Sequence, residues 1–266
     1  MQNESSSPLA VVTGASSGIG FELAKQFAQH GYDLLVTAES DRLDGAATEL
    51  RAMGARVTSV RADLATADGV DTLHRRIQAE GRPVDAIAIN AGVGVGGPFL
   101  ENSLEDELQL IALNVTSVVH LAKHVLRDMT ARNEGRVLFT ASIASEMPAP
   151  FEAVYGASKA FVLSFAEALR NELKDTNITI TALQPGATDT DFFQRAGMED
   201  TKVGAGRKSD PATVAKAGFD ALMAGKDHVV SAMAKEKLMN AVGHVVPDTR
   251  LAEQHRKLSE PGSANA

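Results

Sequence analysis

Short apolar runs alternate with longer amphipathic stretches along most of the chain. Unbroken apolar runs are typical of parallel strands that are buried on both faces, and hydrophobic residues at helical spacing are typical of helices that pack on such a sheet. The predicted strands are residues 9–13, 33–37, 56–60, 84–89, 136–140, 178–183 and 228–230. The predicted helices are residues 19–30, 42–53, 67–80, 104–132, 152–174 and 211–224.

This regular alternation of strand and helix predicts an α/β fold. Strand–helix–strand connections are right-handed, so we expect a doubly wound, mostly parallel sheet of about seven strands with helices on both faces. A single domain is expected over residues 8–249. Residues 1–7 are polar and expected to be disordered, and residues 250–266 form a polar tail that either completes a neighbouring subunit or is disordered.

The composition narrows the range of partners. Lys and Arg number 26 and Asp and Glu number 34, which gives a formal net charge of −8. An acidic surface repels phosphate backbones and anionic lipids, so neither nucleic acid nor a membrane is expected as a partner. The chain has no cysteine, which fits a reducing compartment, and no metal site is predicted. Neither a signal-peptide pattern nor a long apolar segment occurs, so we expect a soluble cytoplasmic protein.

A glycine-rich turn follows the first predicted strand and opens the first predicted helix. Glycines permit a sharp turn and let backbone N–H groups approach a pyrophosphate, and the helix N-terminus adds partial positive charge. A glycine-rich turn alone also serves ordinary loops, but its place between a strand and a helix favours a dinucleotide phosphate. The residues expected at this site are Gly14, Ser16, Ser17, Gly18, Ile19 and Gly20.

Glu39 bears on which kind of dinucleotide the glycine-rich turn would accept. It lies 39 − 20 = 19 residues after Gly20, at the end of the second predicted strand. An acidic residue at this position typically accepts hydrogen bonds from the adenosine ribose, and its charge repels a 2′-phosphate. This predicts a preference for NAD(H) over NADP(H). The alternative interpretation is that Glu39 is a solvated loop residue.

Four polar residues in the second half of the chain suggest acid–base chemistry. Tyr155 and Lys159 are four positions apart in a predicted helix and share a face, and a nearby ammonium favours the phenolate form of a tyrosine. Ser142 follows the fifth predicted strand, where its hydroxyl can bind the same substrate oxygen. Asn114 lies among apolar residues of a predicted helix. It is either a satisfied core amide or part of a proton relay.

Together these residues resemble the short-chain dehydrogenase/reductase family, in its branch of roughly single-domain length. The resemblance covers about residues 8–230. It implies a Rossmann-type fold and an NAD(P)-dependent oxidoreductase that transfers a hydride between nicotinamide and a carbonyl or secondary alcohol. The residues that carry it are 13–20, Asp63, 90–92, Asn114, Ser142, Tyr155, Lys159, Pro185, Gly186 and Thr190.

The resemblance also implies a role for each matched position. Tyr155 would be the general acid or base, and Ser142 would orient the substrate oxygen. Lys159 would bind ribose and lower the Tyr155 pKa, and Asn114 would hold a water that links Lys159 to solvent. The other cofactor-binding residues implied are Asp63, Leu64, Asn90, Ala91, Gly92, Pro185, Gly186, Thr188 and Thr190.

The stretch 31–36 and the run 154–173 resemble a subgroup of this family that usually carries Arg after the second strand and prefers NADP. Ala38, Glu39 and Ser40 depart from that pattern, which weakens an NADP assignment by analogy. Members of the family are usually dimers or tetramers, so a homodimer or homotetramer is expected.

The segment after Pro185 is expected to cover the substrate. We expect a small neutral, apolar carbonyl or alcohol, because no basic residue other than Arg195 lies nearby. One alternative function is a catalytically silent dinucleotide sensor, and another is an enzyme that oxidises its substrate transiently during epimerisation or dehydration. The apolar pocket candidates are Val93, Phe99, Met147, Phe151, Phe192 and Phe193.

Overall fold

The computed structural model of the protein describes residues 7–233 and 246–265. Its described part contains a seven-stranded sheet in the order β3-β2-β1-β4-β5-β6-β7, and every strand pair is parallel. The doubly wound α/β fold predicted from the sequence is therefore confirmed. The strands are β1 (Leu9–Thr13), β2 (Asp33–Ala38), β3 (Val57–Arg61), β4 (Ala86–Ile89), β5 (Gly135–Thr140), β6 (Ile178–Pro185) and β7 (His228–Ser231).

Helices cover both faces of this sheet. The longer ones are α1 (Gly18–Gln29), α2 (Arg42–Ala52), α3 (Ala67–Ala79), α4 (Leu104–Ile111), α5 (Ser117–Arg132), α6 (Ala153–Glu172) and α9 (Pro211–Met223). Side chains of α3, α5 and α6 form one hydrophobic cluster with the sheet, and side chains of α1, α2 and α9 form a second cluster on its other face.

The central strand shows why unbroken apolar runs predicted this sheet. All five residues of Leu9–Thr13 are buried, because β1 has β2 on one side, β4 on the other and helices on both faces. Val11, for example, is paired with Leu35 and with Ile87. A polar residue here would lose its hydration without gaining a partner, so the interior of the strand is apolar.

The stretch 104–132, predicted as one long helix, contains an irregular turn. Between α4 and α5 the backbone adopts a π-helical turn over Ala112–Thr116, and Asn114 is its buried residue. A π turn inserts one residue relative to an α-helix and rotates the side chains that follow it. Helical periodicity alone does not reveal such a turn, because the hydrophobic pattern continues through it.

The C-terminal part of the chain differs from the expected polar tail. Asp248–Ser259 form a helix, here α10, and Leu251 and Ser259 are buried. The segment after it returns to the domain, where the Ala264 N–H donates to the carbonyl of Asp200 at 2.9 Å. Residues 250–265 are thus folded within the described structure, and residue 266 lies outside it, as do residues 1–6 of the expected disordered N-terminus.

Two short helices follow β6, α7 (Phe192–Arg195) and α8 (Lys202–Ala205). Neither helix lies within a segment that was predicted to be helical from the sequence. This segment has a small hydrophobic cluster of its own, formed by the buried side chains of Phe193, Ala196 and Met198. The cluster stabilises the segment at the carboxyl end of the sheet. No described helix is long and apolar enough to cross a membrane.

Candidate active site

A cavity of about 500 Å³ opens at the carboxyl ends of the strands. Ligands of open α/β sheets bind at this edge, where the strand order reverses, here between β1 and β4. The cavity is lined by every residue that the sequence analysis assigned to cofactor binding or catalysis, with the exception of Asn114.

The glycine-rich turn forms one wall of the cavity, and its geometry excludes side chains. Gly14 and Gly18 have φ angles of +67° and +57°, in the left-handed region that favours glycine. A Cβ atom on Gly20 would lie 2.2 Å from the carbonyl oxygen of Gly14. No side chain fits at these glycine positions, and the backbone of the turn stays accessible for a phosphate group at the start of α1.

Thr13 holds the end of β4 beside this turn. Its hydroxyl oxygen accepts hydrogen bonds from the backbone N–H groups of Asn90 and Ala91, both at 2.9 Å. The Asn90 side chain in turn donates to the carbonyl of Thr13 at 3.1 Å and accepts from the Thr140 hydroxyl at 3.0 Å. The ends of three neighbouring strands are thereby fixed around the cavity.

The opposite end of the cavity carries Glu39, Asp63 and Leu64. Glu39 is exposed at the end of β2. Asp63 accepts a hydrogen bond from the Ala65 N–H at 2.9 Å, so its carboxylate is held at the start of the turn after β3. These positions suit the adenosine half of a dinucleotide whose phosphates lie on the glycine-rich turn.

Arg42, the cation nearest to Glu39 in sequence, is not free to bind a phosphate in this structure. Its guanidinium forms an ion pair with Asp191 of the segment after β6. Arg42 and Arg195 both lower the pKa of the Asp191 carboxyl, chiefly through the hydrogen bond from Arg42. The exposed ion pair joins α2 to α7 across the mouth of the cavity.

Tyr155, Ser142 and Lys159 meet at the centre of the cavity. The Ser142 side chain lies close enough to the Tyr155 hydroxyl to lower its pKa, and the Ser142 oxygen accepts a hydrogen bond from the Ala144 N–H at 3.1 Å. The Lys159 ammonium donates to the carbonyl of Thr140 at 2.9 Å and lies 5.9 Å from the centroid of the Tyr155 ring. Two hydroxyls and one ammonium therefore converge on one side of the cavity.

Burial controls the ionisation of both Tyr155 and Lys159. Tyr155 lines the cavity, but its hydroxyl is desolvated, and burial raises its pKa well above the ordinary value. The Ser142 side chain opposes this shift and the Glu152 carboxylate adds to it. Burial also lowers the pKa of Lys159 to about 8. Burial is the largest influence on the Tyr155 pKa in this structure, and the lowering by Lys159 expected from the resemblance stays a prediction.

Asn114 lies behind the cavity wall. Its amide donates to the Val93 carbonyl at 2.9 Å and to the Ser158 hydroxyl at 3.1 Å, and its oxygen accepts from the Val93 N–H at 3.0 Å. These bonds satisfy the Asn114 side-chain amide and position the loop after β4, and a place for Asn114 in a proton relay stays a prediction. A Cβ on Gly92 would lie 3.1 Å from the Asn114 side-chain oxygen and 3.2 Å from Lys159 Nζ, so these two polar groups flank Gly92.

The segment after β6 closes the cavity from above. The Gly186 N–H donates to the Ser231 carbonyl at 2.9 Å, and the Thr188 hydroxyl donates to the Gly186 carbonyl at 2.9 Å. Thr190 reaches the glycine-rich turn, since a Cβ on Gly18 would meet its methyl group at 2.8 Å. This segment thus forms one wall of the cavity, and the residues that line it there include Pro185, Gly186, Thr188 and Thr190.

Four of the six apolar pocket candidates line the cavity. Val93, Met147, Phe192 and Phe193 do so, and the Phe192 ring lies against Tyr155 with centroids 5.1 Å apart. Phe99 is exposed and Phe151 packs under Arg256, with 4.9 Å from the guanidinium to the ring centroid. The latter two positions therefore do not contribute to the described cavity lining.

Sequence reasoning missed the residues that α10 brings to the cavity. His255, Leu258 and Ser259 line it together with Glu152. Glu152 precedes the Tyr155 helix and so could have been noticed from the sequence. No local sequence pattern marks the residues of α10 as part of the cavity, because their position depends on how the C-terminal part of the chain packs against the domain.

The comparisons with known proteins agree with this geometry. The family model described as short chain dehydrogenase matches residues 8–200. Oxidoreductase UcpA of Salmonella typhimurium is 34% identical over 207 residues, which cover 77% of this chain and 76% of that protein. A short-chain dehydrogenase from Sphingobium yanoikuyae in complex with NADPH has a TM-score of 0.81 and 29% identity, over 90% of this chain and 93% of that one.

A short-chain dehydrogenase/reductase from Burkholderia phymatum in complex with NAD superposes with a TM-score of 0.80 at 25% identity, over 90% of this chain and 95% of that one. The matched region contains β1, the glycine-rich turn, Ser142, Tyr155 and Lys159, and reaches past β6. With its parallel sheet and its cavity at the strand ends, the chain therefore belongs to the short-chain dehydrogenase/reductase family of oxidoreductases.

Proposed function

We propose that this chain is an NAD(P)(H)-dependent oxidoreductase that interconverts a carbonyl and a secondary alcohol, with Tyr155 as the general acid or base. The observation that carries the proposal is the convergence of Tyr155, Ser142 and Lys159 in the wall of one cavity of about 500 Å³. The exclusion of side chains at Gly14, Gly18 and Gly20 fits a dinucleotide in that cavity.

When bound, the nicotinamide would supply or accept the hydride. The chain would supply the proton: Tyr155 donates its hydroxyl proton to the carbonyl oxygen during reduction, and Ser142 donates a hydrogen bond to the same oxygen as it gains negative charge. The raised pKa keeps Tyr155 protonated at neutral pH. That state suits reduction, whereas alcohol oxidation needs the phenolate and is favoured at alkaline pH.

Lys159 would bind the cofactor ribose rather than the substrate. Its ammonium is anchored by the Thr140 carbonyl at 2.9 Å and lies against the bare backbone of Gly92. Two of its N–H groups remain available for hydroxyl acceptors. Its charge also stabilises negative charge that develops on Tyr155.

We propose that the chain prefers NAD(H) to NADP(H). Glu39 lines the end of the cavity and is exposed there, so it can accept hydrogen bonds from ribose hydroxyls and repel a 2′-phosphate. The nearest cation, Arg42, is paired with Asp191. One similar structure contains NADPH and another contains NAD. Family membership alone therefore does not decide between the two cofactors, and the proposal is based on the charge of Glu39.

The proposed substrate is small, neutral and largely apolar. Val93, Met147, Phe192 and Leu258 offer an apolar surface near Tyr155. The buried Glu152 carboxylate at the same end disfavours an anionic substrate, because two negative charges in a desolvated site repel strongly. Arg195, which could have attracted an anion, is paired with Asp191.

We also propose that the protein is a homodimer or homotetramer. Large apolar side chains are exposed on α4, α5 and α6, and burial of such side chains would favour contact with another chain. A second copy of the chain is the proposed partner, because the same face would be buried on both copies of a two-fold dimer. The exposed residues are Leu104, Leu108, Ile111, Val119 and Phe161.

The test is the loss of reduced-nicotinamide absorbance with NADH and with NADPH over a panel of ketones, diketones and aldehydes. Substrate-dependent oxidation, faster with NADH and with neutral than with carboxylate-bearing substrates, is the expected result. Binding of a cofactor without turnover of any carbonyl or alcohol would instead favour the dinucleotide-sensor function. Cofactor that stays bound through a full catalytic cycle without net redox change would favour epimerisation or dehydration.

A further inference from the structure

Three metal-ligating side chains meet on the outer side of the sheet, between α3 and α5. Asp71 of α3 lies with its Oδ1 atom 3.2 Å from His120 Nε2 and 3.6 Å from His124 Nε2 of α5. One ligand atom from each of the three residues lies within 4.8 Å of the other two. All three side chains are half-buried, and none of them lines the cavity described above.

The helical spacing explains why the two histidines converge. Residues four positions apart lie on the same face of a helix, so His120 and His124 both point toward α3. Their ring centroids are 4.9 Å apart. The packing of α3 against α5, through residues such as Leu73 and Leu121 in the shared hydrophobic cluster, then brings Asp71 opposite the pair.

His74 supports this arrangement from the other side. Its ring stacks on His124, with centroids 4.0 Å apart and planes inclined by 16°. The Gln78 side chain lies 3.3 Å from His74 Nε2 and donates to Asp128 at 2.8 Å. This stack fixes the plane of the His124 ring, as polar and packing contacts commonly do for metal-binding histidines.

The three side chains do not satisfy one another by themselves. His124 Nε2 is shielded from solvent and has no hydrogen-bond partner among the described residues, because its distance to Asp71 is too long for a good hydrogen bond. A cation held between the three ligand atoms would give each nitrogen lone pair a partner.

We propose that Asp71, His120 and His124 form a binding site for one divalent transition-metal ion of the zinc class. Two imidazole nitrogens and one carboxylate oxygen are a donor set that zinc uses, whereas calcium and magnesium prefer oxygen ligands. Ligands at about 2.0–2.1 Å in a tetrahedron are about 3.3 Å apart. The observed separations of 3.2 and 3.6 Å from Asp71 are close to that spacing.

The site has a structural role. It joins α3 to α5, and α5 continues directly from the π turn that holds Asn114. A bound ion stabilises the folded chain, because the unfolded chain cannot present three ligands in this geometry. The proposal does not depend on the redox function, since the ligands lie outside the cofactor cavity.

Direct metal titration tests this site. The full-length protein is treated with a chelator, dialysed, and titrated with Zn²⁺ by calorimetry, and Co²⁺ absorption is recorded to identify tetrahedral coordination. We expect one ion per chain and a Zn²⁺-dependent rise in the unfolding temperature. Asp71→Asn, His120→Asn and His124→Asn should each weaken binding by at least about tenfold.

His228→Asn is the matched control, because His228 is an exposed histidine on β7 far from this cluster in the sheet order. It should retain wild-type zinc affinity. Circular dichroism and the cooperativity of thermal unfolding show whether each variant is folded, and Asp71→Asn preserves side-chain shape. Wild-type affinity no higher than that of the three cluster variants, or an equal loss in His228→Asn, would overturn the proposal.

Discussion

The Nε2 atom of His255 lies 3.0 Å from the Oε2 atom of Glu152, although the two residues are 103 positions apart in the chain. The same carboxylate oxygen accepts a hydrogen bond from the Ser259 hydroxyl at 3.0 Å. Glu152 immediately precedes α6, which carries Tyr155, and α10 provides both partners. The helix α10 is thus joined to the start of the helix that carries Tyr155 through one buried carboxylate.

This carboxylate also affects the ionisation of Tyr155. Its negative charge contributes to the raised Tyr155 pKa, so Glu152→Gln should lower that pKa. Because alcohol oxidation needs the phenolate, its alkaline limb should move to lower pH in the variant. The measurement is the pH profile of kcat/KM for oxidation. Glu167→Gln, an exposed change on the same helix, should leave the profile unchanged, and an identical profile in Glu152→Gln would contradict this coupling.

Replacement of the Tyr155 hydroxyl should abolish turnover without loss of the cofactor. Tyr155→Phe is expected to lower kcat by about a hundredfold to ten-thousandfold, which is the usual contribution of a general acid. Steady-state kinetics and NADH binding measured on the same sample check both parts. The chain has only two tyrosines, so Tyr32→Phe is the matched control and should retain activity. Full activity in Tyr155→Phe would exclude this residue as the proton donor.

The lowered pKa of Lys159 predicts a pH dependence of cofactor affinity. Its ammonium form predominates below its pKa of about 8 and is lost above it. A neutral amine binds ribose hydroxyls less strongly, so NADH affinity should fall as the pH rises through that value. Titrations of NADH at several pH values measure the effect. Lys159→Met should bind NADH weakly at every pH, and a wild-type affinity that is flat across this range would argue against the role.

The charge of Glu39 should decide between the two dinucleotides. In Glu39→Gln the repulsion of a 2′-phosphate is removed, so the ratio of kcat/KM for NADH to that for NADPH should fall by about tenfold, equivalent to about 1.4 kcal/mol. Glu49→Gln makes the same charge change at an exposed position of α2 outside the cavity. An equal fall in both variants would indicate a general effect of net charge.

Substitution by alanine should have opposite effects on stability at Gly20 and Gly45, which both lie near the start of a helix. A Cβ on Gly20 meets the Gly14 carbonyl at 2.2 Å, whereas nothing lies within 4 Å of a Cβ on Gly45. Gly20→Ala should cost about 1–3 kcal/mol of unfolding free energy and weaken NADH binding. Gly45→Ala should add about 0.5–1 kcal/mol, since alanine favours a helix interior. Denaturant unfolding measures both, and equal stabilities would show that the turn can relax.

The sequence by itself determined the sheet, its helices and most of the site. The strands were predictable because a parallel strand covered on both faces tolerates few polar side chains, as in Leu9–Thr13. The site was predictable because parallel strands end at one edge, which brings Gly14, Asn90, Ser142 and Pro185 together. The shared face of Tyr155 and Lys159 could be predicted from the helical period alone, because the two residues are four positions apart in one helix.

Only the tertiary structure decided the features that depend on contacts between distant segments. Burial raises the Tyr155 pKa and lowers that of Lys159, and desolvation is set by atoms that are far away in sequence. The fold of α10 over Glu152 and the approach of Asp71 to His120 depend likewise on how elements pack. Local patterns specify the elements because they act along the chain, whereas these contacts exist only after the elements have packed.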